Sequence, residues 1–146
     1  MNFIKSGLKP GLWFVGVPIG TARDITLRAL DVLASAEVLA AEDSRSLRKL
    51  MDIHGVPLDG RRIDVLHDHS KAEAVARLVD KARSASVAYA SEAGMPGIAD
   101  PGFELARAAH GAGVPVTCAP GPSAVVTALA VAGLPTDAGH FAGFLP

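Results

Sequence analysis

The sequence predicts an α/β fold: a mostly parallel, five-stranded sheet with helices on both faces. Three observations point there. Short apolar runs alternate five times with segments of helical apolar period. The runs are continuous, not alternating, as in strands buried on both faces. Gly and Pro stand at most of the junctions. Strands of this kind need helices above and below, so the order implies parallel pairing through crossover helices.

In chain order, Met1 to Pro10 shows no period and is expected to fray. Leu12 to Val17 is the first strand, closed by Pro18 and Gly20. Asp24 is expected to cap a helix whose stripe carries Ile25, Leu27, Leu30 and Leu33. Val38 to Ala41 is the second strand. A helix from about Ser46 to His54 stops at Gly55-Val56-Pro57. Ile63 to Leu66 is the third strand, and Lys71 to Arg83 a helix striped by Ala72, Val75, Leu78, Val79 and Ala82. Ser86 to Ala90 is the fourth strand. A helix from Gly102 to His110 follows, with Asp100 as a candidate cap and Pro101 at its first position. Val114 to Ala119 is the fifth strand, and Ser123 to Ala132 a small-residue helix ended by Gly133 and Pro135. Phe141 to Pro146 is apolar and reads as the start of a sixth strand or a linker. The expected organisation is a flexible N-terminus over 1–11, one α/β domain over 12–140, and a hinge beginning at 141–146 toward a further domain.

Bulk properties narrow the classes. A chain of 146 residues, 49% hydrophobic, fits one domain with a real core. Its net charge of -1 carries no overall basic excess, so nucleic acid could be held only by local charge or by other parts of a longer protein. Cys118 is alone, which leaves no disulfide framework. No signal peptide and no apolar run near twenty residues is present, so a cytoplasmic protein away from membranes is expected. His67 and His69 lack a third ligand nearby, and no metal site is expected.

In an open parallel sheet, ligands bind beyond the carboxyl ends of the strands. Five loops lie there: Pro18-Ile19-Gly20-Thr21, Glu42-Asp43-Ser44-Arg45, His67-Asp68-His69-Ser70, Ser91 to Gly102, and Pro120-Gly121-Pro122-Ser123. Most of the unusual residues fall in them, whereas the opposite edge has ordinary turns. Ser91 to Gly102 is long for a strand-to-helix loop, and its glycines allow close approach of a ligand to backbone. It could equally be a packed turn ending in a cap. The helix opened by Pro120-Gly121-Pro122-Ser123 could hold an anion on its free N–H groups, or simply be capped by Ser123. Glu42 and Asp43 could raise one another's pKa and supply a general base, or Asp43 could cap a helix beside Arg45. Neither G-x-G-x-x-G nor G-x-x-x-x-G-K-[ST] occurs.

Six ordered strings carry a resemblance: V-P-I-G-T-A-R-D-I-T-L-R-A-L (Val17 to Leu30), A-E-D-S-R (Ala41 to Arg45), S-E-A-G-M-P-G-I-A-D-P-G (Ser91 to Gly102), P-G-P-S-A (Pro120 to Ala124), A-G-L-P-T-D (Ala132 to Asp137) and G-F-L-P (Gly143 to Pro146). Together they resemble the ribosomal RNA methyltransferases of the tetrapyrrole methylase superfamily, over nearly all the chain after Gly11. The resemblance implies S-adenosylmethionine as methyl donor, held between two α/β domains, with no metal. It implies methylation of the ribose 2′-hydroxyl of a cytidine in 16S rRNA of the 30S subunit, by a homodimer. It assigns cofactor contacts to Pro18, to Ala90, Ser91, Glu92 and Met95, and to Ser123 and Ala124. Glu42 or Asp43 falls near an acid proposed as base in related tetrapyrrole methylases. Glu92 stands where these enzymes usually carry Asp, Ser44 where Thr is usual and Thr21 where Asn is usual. Two other readings remain beside this one. One is a tetrapyrrole methyltransferase, against which the absence of a G-D-P loop counts. The other is a non-catalytic, dimerising module.

Overall fold

The computed structural model describes residues 2–66, 71–99 and 101–146. Five strands alternate with five helices: β1 (Gly11–Val15), α1 (Leu27–Ser35), β2 (Val38–Ala41), α2 (Ser44–Ile53), β3 (Ile63–Val65), α3 (Lys71–Ala82), β4 (Ser86–Ala90), α4 (Gly102–Gly111), β5 (Val116–Ala119) and α5 (Ala124–Ala132). The strands form one sheet in the order β3-β2-β4-β1-β5, and every pairing is parallel. The α/β class, the five strands and their parallel pairing are therefore as the sequence predicts.

Successive strand residues point to opposite faces, and the two faces bury different partners. Val15 of β1, Leu39 and Ala41 of β2, and Ala88 and Ala90 of β4 join Leu30 and Leu33 of α1 and Leu47 and Met51 of α2. Leu12 and Phe14, Ala40, and Val87 and Tyr89 face the other way, against Leu78 of α3 and Leu105 of α4. Each fully buried Leu contributes roughly 1.5–3 kcal/mol of hydrophobic stabilisation. Small residues of β4 face α1 and α2, while Tyr89 packs on Phe14 at a ring separation of 5.6 Å on the other side.

Several boundaries differ from the sequence reading, each for a local reason. Thr26, not Asp24, caps α1: its Oγ1 accepts from the Ala29 N–H at 3.0 Å. Asp24 instead closes a turn, donating its N–H to the Thr21 carbonyl. Strand β1 ends at Val15 because the next residues leave the ladder, and Val17 bridges to Gly94 instead. Helix α2 starts at Ser44, two residues early, because Asp43 supplies its cap. Pro101 is the cap residue of α4 rather than its first helical residue, and Asp100 lies outside the described residues. Strand β5 begins after Pro115, which has no N–H to give a ladder. Residues 141–146 form no strand and are exposed.

The segment before β1 has no regular structure but is tied to α1 and its surroundings. Ile4 donates its N–H to Asp31 at 2.6 Å, Ser6 donates to Ser35 Oγ at 3.0 Å, and Phe3 and Leu8 pack on the α1 side of the core. Among the described residues, no helix is long and apolar enough to cross a membrane.

Candidate active site at the carboxyl edge of the sheet

Strands β1 and β4 are neighbours, yet the chain leaves β1 toward α1 on one face and leaves β4 toward α4 on the other. Such divergence opens a crevice at the carboxyl edge, the position where open α/β sheets bind ligands. Three chain segments meet in this crevice. Gly16 donates its N–H to Ala119 at 3.0 Å, while Val17 and Gly94 exchange backbone hydrogen bonds at 3.1 and 3.2 Å. The loop after β5 joins them, because Gly121 donates its N–H to the Met95 sulfur at 3.2 Å.

Glycines make the convergence possible. A Cβ on Gly16 would fall 2.6 Å from the Gly121 nitrogen and 2.8 Å from the Met95 sulfur. Gly94 sits at φ +73, where it turns the chain back toward Val17. Ala99, a non-glycine at φ 56, continues the contorted path of this loop. Gly16 was legible only as part of an apolar strand, although a glycine inside a strand is itself a sign of close backbone approach.

The residues expected to hold a cofactor divide into three groups. Met95, Ser123 and Ala124 line a pocket of about 280 Å³ with Ile19, Gly94 and Phe141. Pro18 and Glu92 line a second, of about 190 Å³, with Lys49 and Ile53 of α2. Ala90 and Ser91 line neither. Ala90 is buried at the end of β4, between Val15 and Ala41. The buried Ser91 hydroxyl lies 3.1 Å from both the Ala93 and the Gly94 carbonyl, so it fixes the loop from within. Ile19, Gly94 and Phe141 are pocket residues beyond the expected set.

The first pocket is lined mainly by apolar residues, with Ser123 the one hydroxyl among them. Helix α5 opens beside it, and its cap residue Ser123 makes no side-chain capping bond. The first-turn N–H groups of a helix carry partial positive charge and suit a carboxylate.

The acidic pair sits at the tip of β2. Asp43 caps α2: its Oδ1 accepts from the Arg45 N–H at 2.8 Å and the Ser46 N–H at 3.3 Å, and lies 3.9 Å from the Arg45 guanidinium. Glu42 reaches across to the loop after β4, where its Oε2 accepts from the Glu92 N–H at 3.0 Å. Glu42 thus links the acidic tip to a residue lining the second pocket. His67 and His69 lie outside the described residues. Among the described residues, no group of three or more His, Cys, Asp or Glu could hold a metal ion.

Comparison with known proteins agrees with this architecture. A profile of the family described as Tetrapyrrole (Corrin/Porphyrin) Methylases matches residues 11–145. The chain is 46% identical over 140 residues to the ribosomal RNA small subunit methyltransferase I of Mesorhizobium japonicum, covering 95% of the chain and 47% of that protein. It is 46% identical over 138 residues to the protein of the same name from Vibrio cholerae, covering 94% and 47%. The chain therefore spans about half the length of the curated relatives it matches. Among solved structures, it superposes on the uroporphyrin-III-C-methyltransferase of Thermus thermophilus with a TM-score of 0.61 at 31% identity, covering 87% of the chain and 53% of that structure.

Proposed function

Because this chain belongs to the tetrapyrrole (corrin/porphyrin) methylase family, we propose that it forms one wall of the S-adenosylmethionine site of a small-subunit rRNA methyltransferase. The reaction in this reading is methyl transfer to the ribose 2′-hydroxyl of a cytidine in 16S rRNA, carried out in the cytoplasm on the 30S subunit. The observation that carries it is the 46% identity over 95% of the chain to a ribosomal RNA small subunit methyltransferase I. The tetrapyrrole reading has weaker support, from 31% identity to the uroporphyrin-III-C-methyltransferase.

The crevice residues fit the methyl donor. S-Adenosylmethionine, when bound, supplies an electrophilic methyl group on a sulfonium sulfur. Ser123 and the first turn of α5 would hold its carboxylate. Met95, Gly94 and Ala124 would receive its apolar and amide surfaces in the adjoining pocket. Pro18 and Glu92 would close the neighbouring side. Ala90 and Ser91 would act through the shape of the loop, since both are buried. Holding the donor and the ribose oxygen in line supplies much of the acceleration. Glu42 or Asp43, at the tip of β2, would accept the hydroxyl proton as the new bond forms.

The rest of a longer protein would complete the cleft, with the hinge beginning at 141–146. The expected homodimer has a surface available to it: α5 exposes Val126, Leu129 and Val131 and buries none of its residues.

The test is methyl transfer from labelled S-adenosylmethionine to 30S subunits, followed by mapping of the modified nucleotide. Label at a cytidine 2′-oxygen is the expected result. Transfer to a tetrapyrrole and none to rRNA would overturn the reading. If Asp43→Asn and Glu42→Gln enzymes both retained full turnover, neither acid would be the base.

A further inference from the structure

We propose that the arginine-bearing cleft between α2 and the start of β3 is a docking surface for the phosphate backbone of the RNA substrate. The inference rests on the rRNA methyltransferase reading and adds where this half of the protein holds its substrate.

The cleft measures about 510 Å³ and carries Ser44, Arg45, Arg48, Gly60, Arg61 and Arg62. Residues 44–62 contain Arg45, Arg48, Lys49, Arg61 and Arg62 against only Asp52 and Asp59, in a chain whose net charge is -1. The balanced total therefore conceals a local positive surface. Local clustering of this kind is the electrostatic footprint of a nucleic-acid partner.

The cations are available for an external anion. Arg45 is 93% exposed in its side chain, and its one carboxylate neighbour, Asp43 at 3.9 Å, is already capping α2. Arg48 and Arg62 are exposed, and among the described residues neither pairs with a carboxylate within 4.0 Å. Of the two acids in this stretch, Asp59 is held by Lys5 at 2.6 Å, which leaves Asp52, one helical turn after Arg48, against Arg45, Arg48 and Arg62. Arg61 differs from the others. Its guanidinium turns inward onto the Leu33, Ala36, Pro57 and Leu58 carbonyls, so it holds the cleft's floor and adds charge from below.

Position favours substrate over an unrelated anion. Ser44 and Arg45 directly follow Glu42-Asp43 in sequence. The cleft thus begins at the acidic tip where the ribose would sit, and extends from it along the β3 edge. Phosphates flanking the target nucleotide would pass over Arg45 and Arg48 toward Arg62.

The experiment measures binding of the full-length protein to a 16S rRNA fragment by fluorescence anisotropy across a salt series. Wild type is compared with Arg45→Ala/Arg48→Ala/Arg62→Ala, with the corresponding triple Lys variant, and with Arg77→Ala/Arg107→Ala on the opposite face of the sheet. The triple Ala variant should bind at least about tenfold more weakly. Its dependence of log affinity on log salt should flatten by about one unit for each phosphate left without its cation. The triple Lys variant should recover most of the salt slope, and Arg77→Ala/Arg107→Ala should match wild type. S-Adenosylmethionine affinity, read by calorimetry, should be unchanged in the triple Ala variant. Wild-type affinity and slope in that variant would overturn the docking surface while leaving the enzyme reading intact. Failure of the wild-type protein to bind or methylate rRNA at all would overturn both.

Discussion

Gly16 and Gly121 pass back to back: a Cβ on Gly121 would lie 2.9 Å from the Gly16 carbonyl carbon, and a Cβ on Gly16 2.6 Å from the Gly121 nitrogen. Both neighbours are backbone, so neither can step aside as a flexible side chain would. Gly16→Ala and Gly121→Ala should each destabilise the chain by about 1–3 kcal/mol, the usual range for overpacking. The displaced segments carry Met95 and Ser123, so donor affinity should fall as well. Thermal unfolding and calorimetric titration of the two variants check both effects; unchanged melting in both would show that the close approach relaxes freely.

Asp43 has a structural duty that can be separated from any chemical one. Its Oδ1 caps α2, and Asp43→Ala should cost about 1 kcal/mol through loss of that cap alone. Asp43→Ser keeps a capping oxygen but removes the carboxylate. If Asp43 is the base, the Ser variant should melt near wild type and lose turnover. If it is only a cap, turnover should follow stability in both variants.

Arg61 joins α1 to the turn before β3 through four backbone carbonyls, those of Leu33, Ala36, Pro57 and Leu58. Two of these belong to the end of α1 and its C-cap, where helix carbonyls lack intrahelical donors. Desolvation lowers the Arg61 pKa, with Asp59 opposing the shift, but the group remains cationic at ordinary pH. Arg61→Ala should destabilise by about 3 kcal/mol, because several charge-assisted bonds vanish together. Arg61→Lys should recover only part, since one ammonium cannot reproduce the guanidinium fork. Denaturant unfolding of the pair measures the difference.

The Lys5–Asp59 pair makes a prediction about acid. The hydrogen bond and charge of Lys5 hold the Asp59 carboxyl below its ordinary pKa. A carboxylate depressed in the folded state adds stability above its unfolded pKa and loses it as pH falls through the folded value. The pair's contribution should therefore vanish below the ordinary carboxylate range and be constant at neutral pH. NMR titration of Asp59 should give a higher midpoint in Lys5→Ala than in wild type; equal midpoints would remove the pair from the account.

Most of the frame was legible because it depends on local pattern. The continuous apolar runs mark all five strands, and Val38–Ala41 and Ser86–Ala90 match residue for residue. What was hidden depends on distant partners. Nothing near Asp24 and Thr26 says which of two good capping residues the helix will use. Gly16 looks like any strand glycine until Gly121 is placed against it. Ala90 and Ser91 carry the signature of a binding loop, yet their burial gives them an internal role that no motif expresses. The Arg45, Arg48 and Arg62 cleft was invisible because its members come from α2 and the turn before β3, and the chain's total charge cancels it.

The sheet order also sets the sequence of events during synthesis. β1 is made first, yet both its ladder partners come late: Gly11 waits for Ser86 and Leu12 for Val116. β2 and β3 can meet much earlier, through the short crossover of α2. A growing chain emerging N-terminus first must therefore carry an apolar strand without a mate until β4 has left the ribosome. The central pairing of the sheet closes only then, so the crevice beside it needs β4 and β5 and cannot form within the N-terminal segment alone.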